Sequence, residues 1–335
     1  MKLDSVAVKK GSLVALTGGT GFVGSHVVEA LIAARCRVRA LVRRPASPGW
    51  LRGLPVEVVE GDVRDPACLG RLVEGASAVV HVAGKTAARS LEEYRASNAA
   101  GTENLVRAAY EGAPGAHFVL VSSLAAAGPS RGGEPVRPGD QPHPVSSYGI
   151  SKREGEEAVE RSGLSFTILR PSAVYGPRET AIRDLFVAAS RGFAPVLAGG
   201  TPKIQLVYAL DVAAAAAAAV RRGGRGEVFF VAHPEVLDYR GVAECLAALR
   251  RPPARLFPVP AAAVRAAGWL VEAASAFGKG APVFNREKAE EMLQPEWLCD
   301  VSSTQEALGS PLRTPFATGA RHTWDWYRRE GIIRA

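Results

Sequence analysis

The chain of 335 residues is long enough for one large domain or two closely joined ones, and 47% of its residues are hydrophobic, enough for a sizeable core. The net charge of +8 comes from arginines spread along the chain, which argues against nucleic acid as a partner. The four cysteines lie far apart with no histidines at ligand spacing, so we expect neither a metal site nor a disulfide framework. We find no signal-peptide core and no apolar run of about 18 residues, and therefore expect a cytoplasmic protein.

Strand and helix patterns alternate from the N-terminus onwards. Apolar runs predict strands at 12–17, 37–42, 56–60, 78–82, 117–121 and 165–169. Helical spacing predicts helices at 23–35, 66–74, 91–111 and 147–162, and a further helix and strand at 211–222 and 227–231. This alternation predicts a doubly wound parallel α/β sheet.

After Pro171 the alternation becomes less regular. We predict one domain from 10–171 with about 206–232, and a smaller, mainly helical substrate subdomain from about 172–205 with 233–335. In the latter, 261–277 is unusually apolar. We interpret it first as a buried helix, second as a lid over a lipophilic substrate, and third as a helix on a membrane surface. The third interpretation would require a strongly basic face, whereas the segment carries only Arg265 and an opposing Glu272.

A glycine-rich loop, TGGTGFVG at 17–24, follows the first predicted strand and precedes the first predicted helix. Glycines in this position permit a tight turn and a close approach of a pyrophosphate, while the helix N-terminus offers free N–H groups. The loop therefore predicts a dinucleotide-binding Rossmann domain. The expected contacts are Gly18, Thr20, Gly21, Phe22, Val23 and Gly24.

Two arginines after the second strand, Arg43 and Arg44, bear on the choice of cofactor. An acidic residue at this point accepts hydrogen bonds from the 2′-hydroxyl of NAD, whereas an arginine suits the 2′-phosphate of NADP. Because no acid is present, the sequence favours NADP(H) over NAD(H), with Arg43 as a contact. The alternative is that both arginines are solvated loop residues.

Tyr148 and Lys152 lie four residues apart on a predicted helix and therefore project from one face. An ammonium group favours the phenolate, so we expect a lowered pKa of Tyr148. Such a tyrosine can exchange a proton with a carbonyl/alcohol pair while hydride moves to or from nicotinamide. Ser122 and Ser123 end a strand at the sheet edge where ligands bind. A solvated helix face and strand-capping serines are the alternatives without function.

Together these segments resemble the extended short-chain dehydrogenases/reductases of the NAD(P)-dependent epimerase/dehydratase superfamily. The resemblance covers about the first 180 residues, through TGGTGFVG (17–24), GDV (61–63), VVHVAG (79–84), Asn98 with GTEN (101–104), VSS (121–123), YGISK (148–152) and LRPSAVYGPR (169–178). It implies that Tyr148 is the catalytic acid/base, that Lys152 holds the nicotinamide ribose and tunes Tyr148, and that Ser123 takes the serine role.

The same resemblance implies further contacts. Those to the cofactor are Asp62 and Val63 at the adenine, Val82, Ala83 and Gly84 along its length, and Pro171 and Val174 at the nicotinamide. Substrate contacts are expected from Lys85, Thr86, Ser123 and Arg178. As in relatives, the helices at 91–111 and 147–162 would form the interface of a homodimer.

The tail resembles the 3β-hydroxysteroid dehydrogenase and dihydroflavonol-reductase-like branches. The similar segments are FNREKAEEM (284–292), PEW (295–297) with Asp300, ALG (307–309) and WYR (326–328). The chain also departs from typical sugar-nucleotide epimerases, because Arg43 replaces an acidic residue and the usual tyrosine after the serines is missing. These features favour a less polar ketone or alcohol.

The sequence thus predicts an NAD(P)(H)-dependent oxidoreductase that acts on a carbonyl or alcohol of a fairly apolar small molecule. A nucleotide-sugar epimerase or dehydratase with the same catalytic residues is the alternative within the family. A non-catalytic, NADP(H)-sensing protein is the alternative of another class. Tyr148 argues against this last alternative, since such sensors commonly lack the catalytic tyrosine.

Overall fold

The computed structural model describes residues 9–275, 280–309 and 311–333. Its strands are β1 Leu13–Thr17, β2 Arg37–Val42, β3 Val56–Glu60, β4 Ala78–His81, β5 His117–Val121, β6 Phe166–Pro171, β7 Ala173–Tyr175, β8 Phe193–Leu197, β9 Lys203–Tyr208, β10 Glu227–Val231, β11 Val236–Asp238, β12 Arg255–Val259 and β13 Glu296–Trp297. Its α-helices are α1 Phe22–Ala33, α2 Pro66–Val73, α3 Leu91–Asn98, α4 Ala100–Gly112, α5 Ser147–Glu160, α6 Arg183–Ser190, α7 Ala209–Arg222, α8 Tyr239–Ala247, α9 Ala261–Ser275, α10 Arg286–Met292, α11 Ser302–Leu308 and α12 Phe316–Arg329.

A seven-stranded parallel sheet carries the fold, in the order β10-β6-β5-β4-β1-β2-β3. The chain starts at β1 and builds outward first on one side, through β2 and β3, and then on the other. Strand order therefore reverses between β1 and β4, which is where ligands bind in such sheets. Strands β1, β4 and β5 are buried along their whole length, as expected of a sheet covered on both faces. The predicted doubly wound α/β fold is confirmed.

Helices α1 and α7 cover one face of the sheet, and α2 and α4 lie over the other. Helix α7 contains the run of seven alanines, of which all but Ala214 are buried. Small side chains allow α7 to pack closely against α1 and the sheet, which explains why so simple a sequence forms a core helix.

The single helix predicted at 91–111 is wrong, because the chain breaks at Ala99 into α3 and α4. The carbonyl oxygen of Asn98 accepts a hydrogen bond of 2.6 Å from the Thr102 hydroxyl. The same oxygen faces Gly155 of α5 so closely that any Cβ at Gly155 would clash with it. The break therefore lets α3 and α5 approach each other.

The C-terminal part contains more strand than the sequence indicated. Strands β7, β9, β11 and β13 form a four-stranded sheet, and β8 pairs with β12. These strands are short and lack a long alternating pattern, so periodicity alone did not reveal them. The division into two domains stays a prediction, as does the homodimer.

A buried ion pair joins α5 to β6. The guanidinium of Arg170 donates two hydrogen bonds, of 2.9 and 2.7 Å, to the carboxylate of Glu156. The two side chains are 2% and 0% exposed. Charges removed from water in this way depend on each other, because either one alone would be left without a partner in a poorly polarisable environment. The pair therefore fixes α5 on the sheet.

We expect Glu156→Ala to lower the free energy of unfolding by about 3–5 kcal/mol, since it leaves the Arg170 charge buried without its carboxylate. Urea unfolding measures this loss. Arg107→Ala is the control, because Arg107 pairs with Glu103 at 3.8 Å on the exposed face of α4. The control should change stability by less than about 0.5 kcal/mol. Equal, small losses in both variants would contradict a structural role for the buried pair.

Candidate active site

The glycine loop joins β1 to α1 at the point where strand order reverses. Gly18 has φ +79°, and a Cβ there would lie 2.5 Å from the backbone nitrogen of Ala83. A Cβ at Gly24 would clash with the carbonyl oxygen of Gly18. Helix α1 begins after Gly21 without a side-chain cap and without an acidic residue in its first turn. Its N–H groups can therefore bind the phosphates of a dinucleotide.

A chain of buried hydrogen bonds lies beneath this loop. The ring of His81 is fully buried and bonds to the Thr17 hydroxyl at 2.6 Å and to the Thr102 hydroxyl at 3.0 Å. Burial, together with the charge of Lys152, lowers the pKa of His81 to about 3, so the imidazole is neutral. Thr17 also accepts a hydrogen bond of 3.3 Å from the backbone of Ala83. The ends of β1 and β4 are thereby held together.

The side chain of Asn98 connects this region to α5. Its Oδ1 accepts a hydrogen bond of 2.7 Å from the Lys85 backbone, and its Nδ2 donates to the Lys85 carbonyl and to the Ser151 hydroxyl, both at 3.0 Å. A Cβ at Gly84 would lie 3.2 Å from this Oδ1 and 3.7 Å from the Nζ of Lys152. Asn98 thus fixes the strand end beside the predicted catalytic helix.

Ser123 and Tyr148 come together because α5 starts close to the turn after β5. Any Cβ at Gly149 would clash with the carbonyl oxygen of Ala125, so glycine permits this approach. The Ser123 side chain is close enough to Tyr148 to act on its pKa, and its hydroxyl accepts a hydrogen bond of 3.1 Å from the backbone of Ala125. The hydroxyl of neighbouring Ser122 is buried and has no hydrogen-bond partner among the residues that the structure describes.

Lys152 lies one turn further along α5 and is 6% exposed. Its ammonium donates a hydrogen bond of 2.9 Å to the carbonyl oxygen of Val121, at the end of β5. Burial lowers its pKa to about 8, and the carboxylate of Glu156 acts in the opposite direction. The charge on Lys152 is therefore costly to keep and sensitive to pH near neutrality.

The expected lowering of the pKa of Tyr148 is wrong. The residue as a whole is half-buried, but its hydroxyl lies among packed groups, and this loss of hydration raises its pKa to about 12. The side chain of Ser123 acts to lower this pKa, while the carboxylate of Glu291 raises it. Tyr148 is consequently protonated at neutral pH, ready to donate a proton.

Helix α10 covers the start of α5. The carboxylate of Glu287 accepts hydrogen bonds from the backbone and hydroxyl of Ser147, at 3.1 and 2.7 Å. Glu291 is 9% exposed and accepts a hydrogen bond of 3.0 Å from the hydroxyl of Ser146. Both carboxylates bind the two serines that directly precede Tyr148, so α10 forms one wall of the site.

The predicted adenosine end carries three charged residues. Arg43 is exposed directly after β2, and Asp62 follows β3. Arg64 hydrogen-bonds Asp62 and holds the pKa of that carboxyl below its usual value, with a smaller effect from Arg43. The neighbouring Val63 is buried, and its carbonyl accepts a hydrogen bond of 3.2 Å from Asn104.

The predicted substrate contacts fall in two places. Lys85 pairs with Glu93 at 2.8 Å, and Thr86 is exposed beside it. Arg178 instead lies against α1, where it donates to the Ser25 hydroxyl at 3.0 Å and pairs with Glu29 at 2.6 Å. A role for any of them in binding substrate stays a prediction.

The remaining predicted contacts lie at strand ends or on a short strand. Val82, Ala83 and Gly84 directly follow β4, Pro171 ends β6, and Val174 is the middle residue of β7.

Sequence reasoning missed the roles of Asn98 and Glu291. Asn98 stands in the motif with GTEN, and Glu291 in the similar tail segment, but spacing could not indicate what either contacts.

Comparison with known proteins identifies the family. The NAD dependent epimerase/dehydratase family matches residues 14–232. The chain is 38% identical to ceramide reductase of Caulobacter vibrioides over 333 residues, covering 96% of each chain. It is 28% identical to a 4-hydroxy-2-methyl-3-oxo-4-farnesyl-3,4-dihydroquinoline-1-oxide ketoreductase of Stigmatella aurantiaca, covering 77% of this chain and 79% of the relative.

The fold is also that of solved structures. The dTDP-glucose 4,6-dehydratase of Streptomyces venezuelae, crystallised with NAD, aligns with a TM-score of 0.76 at 22% identity, covering 96% of this chain and 99% of the other. The chain therefore belongs to the NAD dependent epimerase/dehydratase family. It is an NAD(P)-dependent oxidoreductase of the extended short-chain dehydrogenase/reductase type.

The lowered pKa of Lys152 predicts a change of stability with pH. Between about pH 8 and 10.5 the unfolded chain binds the Lys152 proton and the folded protein does not, so stability from this group rises with pH. We expect wild type to gain stability relative to Lys152→Met between about pH 7 and 9.5, as measured by urea unfolding. A stability difference that stays constant, or moves the other way, would show that Lys152 titrates normally.

Proposed function

We propose that the protein is an NADP(H)-dependent reductase of a ketone on a long-chain lipid of the ceramide type. The observation that carries this proposal is the grouping of three residues at one sheet edge beside the glycine loop: Ser123, whose side chain acts to lower the pKa of Tyr148, Tyr148 itself, and Lys152 one turn further along α5. The likeness to a ceramide reductase, at 38% identity over 96% of both chains, supports the lipid substrate.

In this proposal, Tyr148 and Ser123 act on the carbonyl oxygen of the substrate. A bound nicotinamide supplies the hydride that reduces the carbonyl carbon. Tyr148 donates its hydroxyl proton to the oxygen, and the Ser123 hydroxyl donates a hydrogen bond that stabilises the negative charge growing there. The product is the alcohol, and Tyr148 is left as the phenolate. The ammonium of Lys152 holds the nicotinamide ribose and offsets this negative charge.

The protonation state of Tyr148 fits its role as the proton donor in a reduction. With its pKa raised to about 12 by burial, Tyr148 carries its proton at neutral pH. The carboxylate of Glu291 adds to this rise and makes the phenolate harder to form, so the nearby ammonium of Lys152 is needed to stabilise the phenolate. Oxidation of an alcohol would begin from the phenolate, which is scarce at neutral pH with this pKa.

We expect Tyr148→Phe to lower kcat for ketone reduction by about 10²–10⁴-fold, because it removes the proton donor while keeping the ring. NADPH consumption with a ketone substrate measures the rate, and fluorescence titration with NADPH measures cofactor binding, which should be nearly unchanged. Tyr110→Phe is the control, since Tyr110 is 59% exposed on α4. Full activity of Tyr148→Phe would contradict the catalytic assignment.

The same assays separate the alternatives. Tightly retained NAD together with turnover of UDP- or GDP-sugars would identify an epimerase or dehydratase. Binding of NADPH without turnover of any carbonyl compound would identify a sensing protein.

Arg43 supports the choice of NADP(H), because it stands exposed after β2 where an acidic residue would select NAD. We expect Arg43→Ala to raise the KM for NADPH about tenfold or more, by removing a charge-assisted hydrogen bond to the 2′-phosphate, and to leave the KM for NADH unchanged. Arg52→Ala, at another exposed arginine, is the control. Parallel changes in both KM values would show that Arg43 does not read the 2′-position.

A further inference from the structure

Helix α9 is apolar but largely exposed. Only Val264 and Gly268 are buried, and Gly268 contacts α10 so closely that a Cβ there would lie 2.9 Å from the Asn285 carbonyl oxygen. Trp269, Leu270 and Val271 are 58%, 59% and 39% exposed. The favoured interpretation of 261–277 as a buried helix is therefore wrong for α9, and Phe277 lies outside the described residues.

Strand β12, which leads directly into α9, carries further exposed apolar side chains. In its parallel pairing with β8, Arg255 stands opposite Phe193 and Phe257 opposite Pro195, so these side chains share one face. Phe193 and Phe257 are both 58% exposed. The turn at 198–200 contacts both β12 and α9. We call the apolar ridge the set of Phe193, Phe257, Trp269, Leu270 and Val271.

Arginines flank the β12 end of the ridge. Arg250 donates a hydrogen bond of 3.3 Å to the Ser190 carbonyl, and the backbone of Arg255 donates one of 2.8 Å to that of Gly192. This corner therefore gathers Arg191, Arg250, Arg251 and Arg255. Within the described part of the chain, none of these four forms an ion pair with a carboxylate. Their positive charge is available to a partner.

The ridge also adjoins the candidate active site. The guanidinium of Arg89 donates hydrogen bonds of 3.3 Å to the carbonyl oxygens of Ser275, at the end of α9, and of Gly280. Arg89 belongs to the loop after β4 that carries Lys85 and Thr86. On its other side α9 packs on α10, whose Glu287 and Glu291 bind the start of α5 beside Tyr148.

We propose that the apolar ridge and its arginine corner bind the surface of an anionic phospholipid bilayer. Large exposed apolar patches mark binding surfaces, tryptophan favours the membrane interface, and arginines are attracted by anionic headgroups. Among the described residues no helix is long and apolar enough to cross a bilayer, so the contact is peripheral. The packing of α9 on α10 replaces the polar face that an isolated interfacial helix needs.

Docking in this orientation brings the mouth of the site to the lipid. A lipid ketone would then reach Tyr148 past α9 and the loop after β4, without passing through water. This consequence rests on the proposed function, whereas bilayer binding itself does not. A second copy of the chain is the competing occupant, but it would enclose the four arginines, which carry like charge.

Sedimentation with vesicles tests the proposal on the full chain. We expect wild type to bind vesicles of phosphatidylglycerol and phosphatidylcholine, and to bind phosphatidylcholine vesicles weakly. Trp269→Ser with Leu270→Ser, and separately Arg255→Glu, should each weaken binding by about tenfold or more. The matched control replaces Leu210 and Val236 by serine, since both are exposed apolar residues outside the ridge, at 45% and 49%. The control should bind as wild type does.

The proposal is overturned if wild type does not sediment with the anionic vesicles, or if the control loses as much binding as the ridge variant. It is also overturned if the ridge variant converts a dimer to a monomer in size-exclusion chromatography. Arg255→Glu leaves the apolar side chains of the ridge unchanged. It therefore still tests the proposal if the serine variant fails to fold. Turnover of a short, water-soluble ketone, measured in parallel, should be equal in all these proteins. Vesicle binding without any ketone turnover would refute the proposed function, but the proposal that the ridge binds a bilayer would still stand.

Discussion

The position of helix α5 is the constraint on which the site depends. Two glycines in this helix permit close contacts that any side chain would block. Gly149 faces the turn after β5, and Gly155 faces the Asn98 carbonyl. The buried pair of Glu156 and Arg170 then anchors the helix to β6, and Asn98 reaches it through Ser151. These contacts set where Tyr148 and Lys152 stand relative to the sheet edge, so the arrangement of the proposed catalytic residues depends on backbone packing rather than on a loop.

Burial shifts the pKa values of the two residues that this geometry brings together, Tyr148 and Lys152. Loss of hydration acts in opposite directions on an acid and a base, raising the pKa of Tyr148 and lowering that of Lys152. The tyrosine is thus protonated at neutral pH, as a proton donor must be, while the lysine holds a charge at some cost. The same exclusion of water suits an apolar substrate. In the proposed docking on a bilayer, the exposed apolar helix α9 beside this site would give such a substrate a route from the lipid.

The sequence sufficed for the central sheet and for the residues gathered at its edge. Alternating strands and helices, the glycine loop, and the spacing of Tyr148 and Lys152 are local patterns with one structural meaning. Properties that depend on long-range packing were not predictable. The pKa of Tyr148 depends on burial and on Glu291, which is 143 residues away along the chain. Periodicity could not show that α9 lies on the surface, because an apolar helical segment is compatible with a buried position as well as an exposed one.

Transfer of deuterium tests the central claim most directly. The protein would be given NADPH carrying deuterium at the transferable position of the nicotinamide, with a ceramide-type ketone in phospholipid vesicles. Mass spectrometry of the extracted lipid would then locate the label. The account predicts an alcohol with one deuterium on the carbon that was the ketone carbon. Recovery of unchanged ketone, with all the label still on the cofactor, would contradict it.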